Sequence, residues 1–147
     1  MECFEDRPVA PGRYCYPRVE VEVAFVLGAP LPGADNASSA GFVLGPDRVK
    51  PGDVDLRGID ARVARNGEQV AAGRSGAVLG NPVTAVAWLA DEVAGFGVTL
   101  DAGQVILPRS VHQAIDVRPG DAFVASFDGP GGNGSAPSAS ASSEGKP

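Results

Sequence analysis

The stretch PRVEVEVAFVLG, residues 17–28, decides the fold class because apolar residues alternate along it. Successive side chains of a β-strand point to opposite faces, so the alternation predicts one half-buried strand over residues 18–28. Its core face consists of Val19, Val21, Val23, Phe25 and Leu27. The opposite face carries two carboxylates, Glu20 and Glu22, which either face water or converge on a cation.

Length and charge indicate one acidic globular domain. The chain has 147 residues, with 12 Lys and Arg against 18 Asp and Glu, so its formal net charge is −6. Nucleic acids and anionic membranes bind basic surfaces, so neither is expected as a partner. No apolar run approaches the roughly 20 residues of a membrane span. The start MECFEDRPVAPGRYC lacks the features of a signal peptide, and Cys3 and Cys15 match no metal or disulfide pattern, so we expect a cytoplasmic protein with reduced thiols.

The remaining pattern predicts a mainly β (α+β) fold with one main helix. Asn66-Gly67 lies between predicted strands at 54–65 and 68–74, and this dipeptide suits a tight hairpin. The helix covers about residues 81–96, since Asn81 is a good N-cap and Pro82 is tolerated at the first helical position. We expect its apolar side, widened by Trp88 and Leu89, to pack on a sheet. Further strands are expected at 41–45, 104–107 and 122–128.

The two ends of the chain differ in composition from its middle. Residues 1–17 are rich in Pro and Gly and are predicted to be irregular. Residues 129–147, GPGGNGSAPSASASSEGKP, contain no Val, Ile, Leu or aromatic residue, which predicts a disordered tail. The tail matches a GxGxxG pattern at Gly129, Gly131 and Gly134, but no helix can follow it, so no dinucleotide site is predicted.

The glutamate pair suits magnesium or manganese, which prefer hard oxygen ligands. Two glutamates two positions apart on a strand can supply two such ligands. A complete site needs a further carboxylate, and spacing does not choose among Asp35, Asp53, Asp55 and Asp60. Ser110 and His112 are close in sequence, but nothing indicates the orienting acid of a catalytic triad.

Three stretches carry a resemblance to a known family: PRVEVEVAFVLGAPLPG, ADNASSAGFVLG and NGEQVAAGRSGAVLGNPVTAVAWLADEVAGFGVTLDAGQVILP. They resemble the 2-keto-4-pentenoate hydratase and 4-oxalocrotonate decarboxylase family, within the wider fumarylacetoacetase-like group. The following AIDVRPGD also resembles the hydratases of aromatic and steroid meta-cleavage pathways. The resemblance implies a partial fumarylacetoacetase-like mixed β-sandwich or roll, with a hydratase-like catalytic domain over residues 18–128.

The resemblance also implies a function for the glutamate pair. It assigns Glu20 and Glu22 as ligands of Mg²⁺ or Mn²⁺ and places Ser110 near the substrate carboxylate. The implied reaction adds water to 2-hydroxypenta-2,4-dienoate and gives 4-hydroxy-2-oxopentanoate, with the metal stabilising an enolate. The implied partners are a small 2-oxo or 2-hydroxydienoic acid and either further copies of the chain or a pathway aldolase.

Several departures from the family pattern keep two alternatives open. The family's catalytic lysine region has no counterpart here, and its segment with the third metal glutamate is missing between Gly33 and Ala34. The family's Gly-Ser-x-Thr motif reads Arg109-Ser110-Val111-His112, and its last strand is replaced by the tail. The alternatives to a hydratase are a non-catalytic remnant of the family and a decarboxylase acting on 2-oxohex-3-enedioate.

Overall fold

The computed structural model describes residues 2–3, 9, 11–32, 41–128 and 138–142. It is built mostly of strands with one main helix, as the sequence pattern predicts. In chain order the elements are β1 (Glu2–Cys3), β2 (Arg18–Val19), β3 (Phe25–Val26), β4 (Leu31–Pro32), β5 (Gly41–Phe42), β6 (Asp60–Arg65), β7 (Glu68–Arg74), α1 (Pro82–Ala94), β8 (Thr99–Leu100), β9 (Val105–Ile106), β10 (Ile115–Asp116), β11 (Ala122–Asp128) and β12 (Ser138–Ser142). Short 3₁₀ turns lie at Pro11–Arg13, Pro51–Asp53 and Ser75–Ala77. Among the described residues, no helix is long and apolar enough to cross a membrane.

The largest sheet has four antiparallel strands in the order β12-β11-β6-β7. The hairpin between β6 and β7 turns at Asn66 and Gly67, with φ angles of 54° and 87°, as the Asn-Gly dipeptide predicts. The Asn66 side chain also accepts a hydrogen bond from Ala122 N at 2.8 Å and donates one to Asp121 at 3.1 Å. The turn is therefore tied to the start of β11.

A second, irregular antiparallel pairing joins residues 17–28 to residues 103–117, and we name it the site ribbon. It contains the pairs β2–β10 and β3–β9. Between them, Val111 N donates to the Val21 carbonyl oxygen at 3.1 Å. The other small pairs are β4–β8, which is antiparallel, and β1–β5, which is parallel.

The single strand predicted over residues 18–28 is wrong, because the regular ladder breaks between β2 and β3. Val19 pairs with Ile115 and Phe25 pairs with Ile106, so six residues of this segment lie opposite nine residues of the paired segment. Two segments of unequal length cannot keep one continuous ladder. The longer segment also contains Pro108, which has no N–H to donate.

Within the described residues, the site ribbon contributes to two apolar cores. The first joins it to the large sheet through Val21, Ala61, Val63, Val78, Val111, Phe123 and Ala125. The second joins it to α1 through Val86, Leu100 and Ile106, with Phe25, Leu27 and Leu89 packed around them. The site ribbon therefore belongs to both cores.

The helix α1 follows the sequence prediction closely. Asn81 caps it by accepting a hydrogen bond from Val83 N at 3.0 Å, and Pro82 is its first residue. Leu89 packs into the second core, as expected, but Trp88 is 58% exposed. The helix therefore packs against strand residues as expected, through Val86 and Leu89, but Trp88 lies outside this contact.

The end of the chain differs from the predicted disorder at Ser138–Ser142, which forms β12 and pairs antiparallel with β11. A ladder requires only backbone N–H and C=O groups, which every residue except proline supplies, so a sequence without large apolar residues can still extend a sheet. The GxGxxG match at 129–134 lies outside the described residues.

Candidate functional site

The predicted carboxylate pair lies in the irregular part of the site ribbon. Val21, between the two glutamates, is 6% exposed and belongs to the first core. Glu20 is exposed and Glu22 is half-buried. Their charges repel each other, so the two carboxylates lie within range of electrostatic interaction.

Glu22 has an unusual proton affinity for a carboxylic acid. Burial and, to a smaller extent, the neighbouring Glu20 charge together raise the pKa of Glu22 from 4.5 to about 7. A backbone hydrogen bond donated by Arg109 opposes the rise. Desolvation and a like charge both disfavour the ionised carboxylate, whereas a bound cation would favour it.

Two buried polar atoms in this part of the fold have no hydrogen-bond partner within the described residues: Glu22 Oε2 and His112 Nε2. The other ring nitrogen, His112 Nδ1, lies 2.6 Å from the Gln113 carbonyl oxygen, which can only accept. Nδ1 therefore carries the hydrogen in the neutral ring, and Nε2 is an acceptor. Both unpartnered atoms thus present lone pairs.

Ser110 lies beside this region, but its hydroxyl is already used locally. Its Oγ donates to the His112 carbonyl oxygen at 2.8 Å and accepts from His112 N at 3.4 Å. The same side chain therefore closes a tight turn over residues 110–112. The predicted contact of Ser110 with a substrate carboxylate requires the hydroxyl to exchange its bond to the His112 carbonyl.

Among the described residues, the candidate third carboxylates are exposed or already paired. Asp53 is exposed in a 3₁₀ turn, and Asp35 is outside the described residues. Asp55 accepts from the Arg57 backbone N–H and guanidinium, which lowers the pKa of Asp55, and Asp60 pairs with Arg74 at 3.1 Å. No group of three or more His, Cys, Asp or Glu side chains suited to a metal occurs within the part of the chain that is described.

Carboxylate oxygens are the ligands that Mg²⁺ prefers, and Mg²⁺ is commonly held by one or two carboxylates, several waters and substrate oxygens. Glu20 and Glu22 match this arrangement, since Glu22 has a buried oxygen that accepts no hydrogen bond. The residues present therefore fit a hard divalent cation that completes its coordination with water or substrate.

Sequence reasoning missed two contributions to this region. One is the backbone N–H of Arg109, since no residue type signals a backbone donor. The other is Gly73 in β7, against which residue 111 packs. Gly73 did carry a signal, because a glycine inside a strand often marks a close approach of another backbone.

No family model matches the chain, but individual relatives do. A 2-oxo-hept-4-ene-1,7-dioate hydratase of Escherichia coli is 34% identical over 154 residues, covering 76% of this chain and 58% of the relative. A 2-keto-4-pentenoate hydratase of Burkholderia vietnamiensis is 42% identical over 98 residues, covering 67% of this chain and 37% of the relative.

A solved structure has the same fold. The 4-oxalocrotonate decarboxylase from Pseudomonas putida G7, complexed with calcium and acetate, gives a TM-score of 0.82 at 28% identity and covers 95% of this chain. The same enzyme complexed with magnesium and adipate gives a TM-score of 0.81, also at 28% identity. The match covers 64% of the first of these chains and 65% of the second.

The chain is shorter than these relatives, of which it spans between 37% and 65%. The alignment to the Escherichia coli hydratase extends over 154 residues, more than the 147 of this chain, although it includes only 76% of them. The relative therefore carries internal residues that this chain lacks, which agrees with the predicted internal deletion.

Proposed function

We propose a function for this chain from its family, since it belongs to the 2-keto-4-pentenoate hydratase and 4-oxalocrotonate decarboxylase family. The proposed activity is that of a hydro-lyase, which adds water to 2-hydroxypenta-2,4-dienoate to give 4-hydroxy-2-oxopentanoate. Glu20 and Glu22 hold a divalent cation, Mg²⁺ or Mn²⁺. The substrate class is a small 2-hydroxydienoic acid of aromatic catabolism.

A single observation carries the metal assignment: Glu22 has a buried carboxylate oxygen without a donor, next to the charge of Glu20. A buried carboxylate in this setting costs free energy when it is ionised, unless a positive charge compensates it. The backbone N–H of Arg109 supplies only part of that compensation. A divalent cation shared by the two carboxylates supplies the rest.

The chain's own residues divide the work as follows. Glu20 and Glu22 would hold the cation, and the hydrogen bond from the Arg109 N–H would help to position the Glu22 carboxylate. Ser110 contacts the substrate carboxylate after its hydroxyl leaves the His112 carbonyl. When bound, the cation supplies Lewis-acid stabilisation of negative charge that develops on the 2-oxo acid.

Turnover assays test this proposal directly. We expect hydration of 2-hydroxypenta-2,4-dienoate that requires Mg²⁺ or Mn²⁺ and falls at least 100-fold in Glu20→Gln and Glu22→Gln, because each variant removes one carboxylate ligand. Asp53→Asn, which removes an exposed carboxylate elsewhere, is the matched control and should retain wild-type activity. Metal-independent turnover, or equal activity in all three variants, would contradict the proposal.

Two further outcomes correspond to the alternatives. Release of CO₂ from 2-oxohex-3-enedioate without hydration would indicate a decarboxylase, which the fold similarity to a 4-oxalocrotonate decarboxylase favours. Metal binding without turnover of either acid would indicate a non-catalytic remnant, which the short length relative to its relatives favours.

We also propose a cytoplasmic location, which cell fractionation tests. We further propose association with further copies of the chain or with a pathway aldolase, which light scattering tests.

A further inference from the structure

The interior of β7 contains a contact that only glycine permits. A Cβ atom on Gly73 would lie 2.7 Å from the carbonyl carbon of Val111 and closer still to its oxygen. Real Cβ atoms do not approach backbone atoms within 3.0 Å. The absent side chain therefore lets residue 111 of the site ribbon press directly against the large sheet.

Val111 connects Gly73 to the segment that carries the two glutamates. Its N–H donates to the Val21 carbonyl oxygen at 3.1 Å, and the Val111 and Val21 side chains pack in the same core. Val21 separates Glu20 from Glu22 in the chain. Two residues before Val111, the N–H of Arg109 donates to the Glu22 carboxylate. Residues 109–111 therefore contact Gly73 through the Val111 carbonyl group and contact the glutamate segment through two N–H groups, which donate to Val21 and to Glu22.

We propose that Gly73 is a positioning residue for the Glu20–Glu22 cation site. Contact with Gly73 sets the distance between residues 109–111 and the large sheet. Through Val21 and Arg109, this distance determines the positions of the two carboxylates. The inference rests on the proposed function in that the bound group is a divalent cation. Residues that orient metal ligands commonly change metal affinity by about 10- to 100-fold when they are replaced.

The sharpest test compares two glycines that both contact backbone. Gly73→Ala forces residue 111 outward, whereas Gly76→Ala, in the 3₁₀ turn that follows β7, meets the Arg57 carbonyl oxygen at 2.8 Å. Both variants introduce the same methyl group against a backbone atom. Titration of Mn²⁺, followed by electron paramagnetic resonance of the free ion, reports binding without any substrate.

We expect Gly73→Ala to weaken Mn²⁺ binding at least 10-fold and Gly76→Ala to change it less than 2-fold. Amide hydrogen exchange of Arg109 and Val111, measured by NMR without metal, gives an independent readout. Protection of both amides should fall in Gly73→Ala and persist in Gly76→Ala. A folded Gly73→Ala protein with unchanged Mn²⁺ affinity and unchanged amide protection would overturn the inference, as would equal effects of the two variants.

The two readouts separate this inference from the proposed function. A wild-type chain that does not bind Mn²⁺ refutes the cation site, while loss of amide protection in Gly73→Ala alone still supports positioning of Glu22. If Gly73→Ala does not fold, Val111→Ala loosens the same segment, and Val78→Ala removes equal volume from the same core as its control. Mn²⁺ affinity should then fall several-fold in Val111→Ala only, and equal affinities would overturn the inference.

Discussion

The large sheet and the site ribbon both have strand-like sequences, but their packing differs. In the sheet, β6, β7 and β11 are six or seven residues long and bury Ala61, Val63 and Phe123 with little exposed surface. In the site ribbon, regular pairing is limited to two-residue strands, and the segment between them holds a half-buried glutamate. Among the described residues, no buried side-chain N or O atom of the sheet lacks a partner, whereas the ribbon leaves lone pairs of Glu22 and His112 without hydrogen-bond donors.

This difference locates the interactions that lower the stability of the metal-free chain. A buried polar atom without a partner costs free energy, and so does a buried carboxylate beside a like charge. Both costs fall in the segment that carries the candidate cation ligands. Mutations in the sheet should therefore destabilise the chain, while removal of charge in the ribbon should stabilise the metal-free chain.

The largest expected effect lies in the sheet, at Phe123. Phe123→Ala leaves a cavity where the side chain is 5% exposed, and we expect the free energy of unfolding to fall by about 4 kcal/mol. Phe96→Ala is the control, because Phe96 is 82% exposed and should change stability by less than about 0.5 kcal/mol. Urea unfolding followed by circular dichroism measures both values. Similar losses in both variants would contradict a core at this sheet.

The second-largest loss of stability is expected at the Asn66 turn. Asn66→Ala loses both side-chain hydrogen bonds to the start of β11 and places alanine at a φ of 54°, so we expect a loss of about 2 to 3 kcal/mol. Asn66→Gly loses the bonds but tolerates the φ angle, and should lose about 1 kcal/mol. Thermal unfolding of the two variants separates the contributions, and equal losses would show that the φ angle has no cost here.

In the site ribbon, we expect Glu22→Gln to raise the free energy of unfolding rather than lower it. Because the folded pKa of about 7 lies above the ordinary 4.5, wild-type stability falls as pH rises from about 4.5 to 7, and the penalty persists above 7. After allowance for partial solvent screening, Glu22→Gln should stabilise the metal-free chain by about 1 kcal/mol at pH 8, or about 4 °C in Tm. At pH 4.5 the two proteins should unfold together.

The matched control for this measurement is Glu68→Gln, which neutralises an exposed carboxylate on β7. Millimolar Mg²⁺ or Mn²⁺ should raise the Tm of the wild type and of Glu68→Gln, but not that of Glu22→Gln, since a ligand stabilises only a chain that binds it. A destabilised Glu22→Gln protein at pH 8 without metal would show that the ionised carboxylate is not under strain.

The smallest effect is expected on the outer surface of the sheet. Arg74 pairs with Asp60 at 3.1 Å, and both side chains are about half exposed. Exposed ion pairs contribute little and are screened by salt, so Arg74→Gln should lose about 0.5 kcal/mol at low ionic strength and almost nothing in 1 M NaCl. A loss above about 2 kcal/mol would mean that the pair does more than link two neighbouring strands.

The fold was most predictable where the signals are local. The bounds of β7 and β11 coincide with the predicted strands, and α1 begins at Pro82 behind its Asn81 cap, because turns and caps depend on residues a few positions apart. The break in residues 18–28 was not predictable, since it depends on the unequal length of a partner segment far along the chain. The β12 strand was missed for a similar reason, because backbone pairing is available to almost any sequence.

The candidate site was predictable only in part. Alternation alone predicts that Glu20 and Glu22 share a side of their segment, and in the structure the Glu20 charge does act on Glu22. The burial of Glu22 and its bond from Arg109 depend on how residues 109–111 pack, which no spacing in the sequence encodes. The roles of Glu20, Glu22 and Ser110 remain predictions that the metal and turnover measurements test.

The pairing of the site ribbon also sets an order of events during folding. The β6–β7 hairpin closes through a two-residue turn, whereas β2 pairs with β10 almost a hundred positions away. Closing so long a loop costs more chain entropy and is slower, so we expect the hairpin early and the ribbon late. Residues 17–28 are synthesised before their partner segment, so the surroundings of the two glutamates form only after residue 117 has left the ribosome. A cation bound by Glu20 and Glu22 as proposed would therefore be captured only at this last step, and its concentration would control how much of the chain matures.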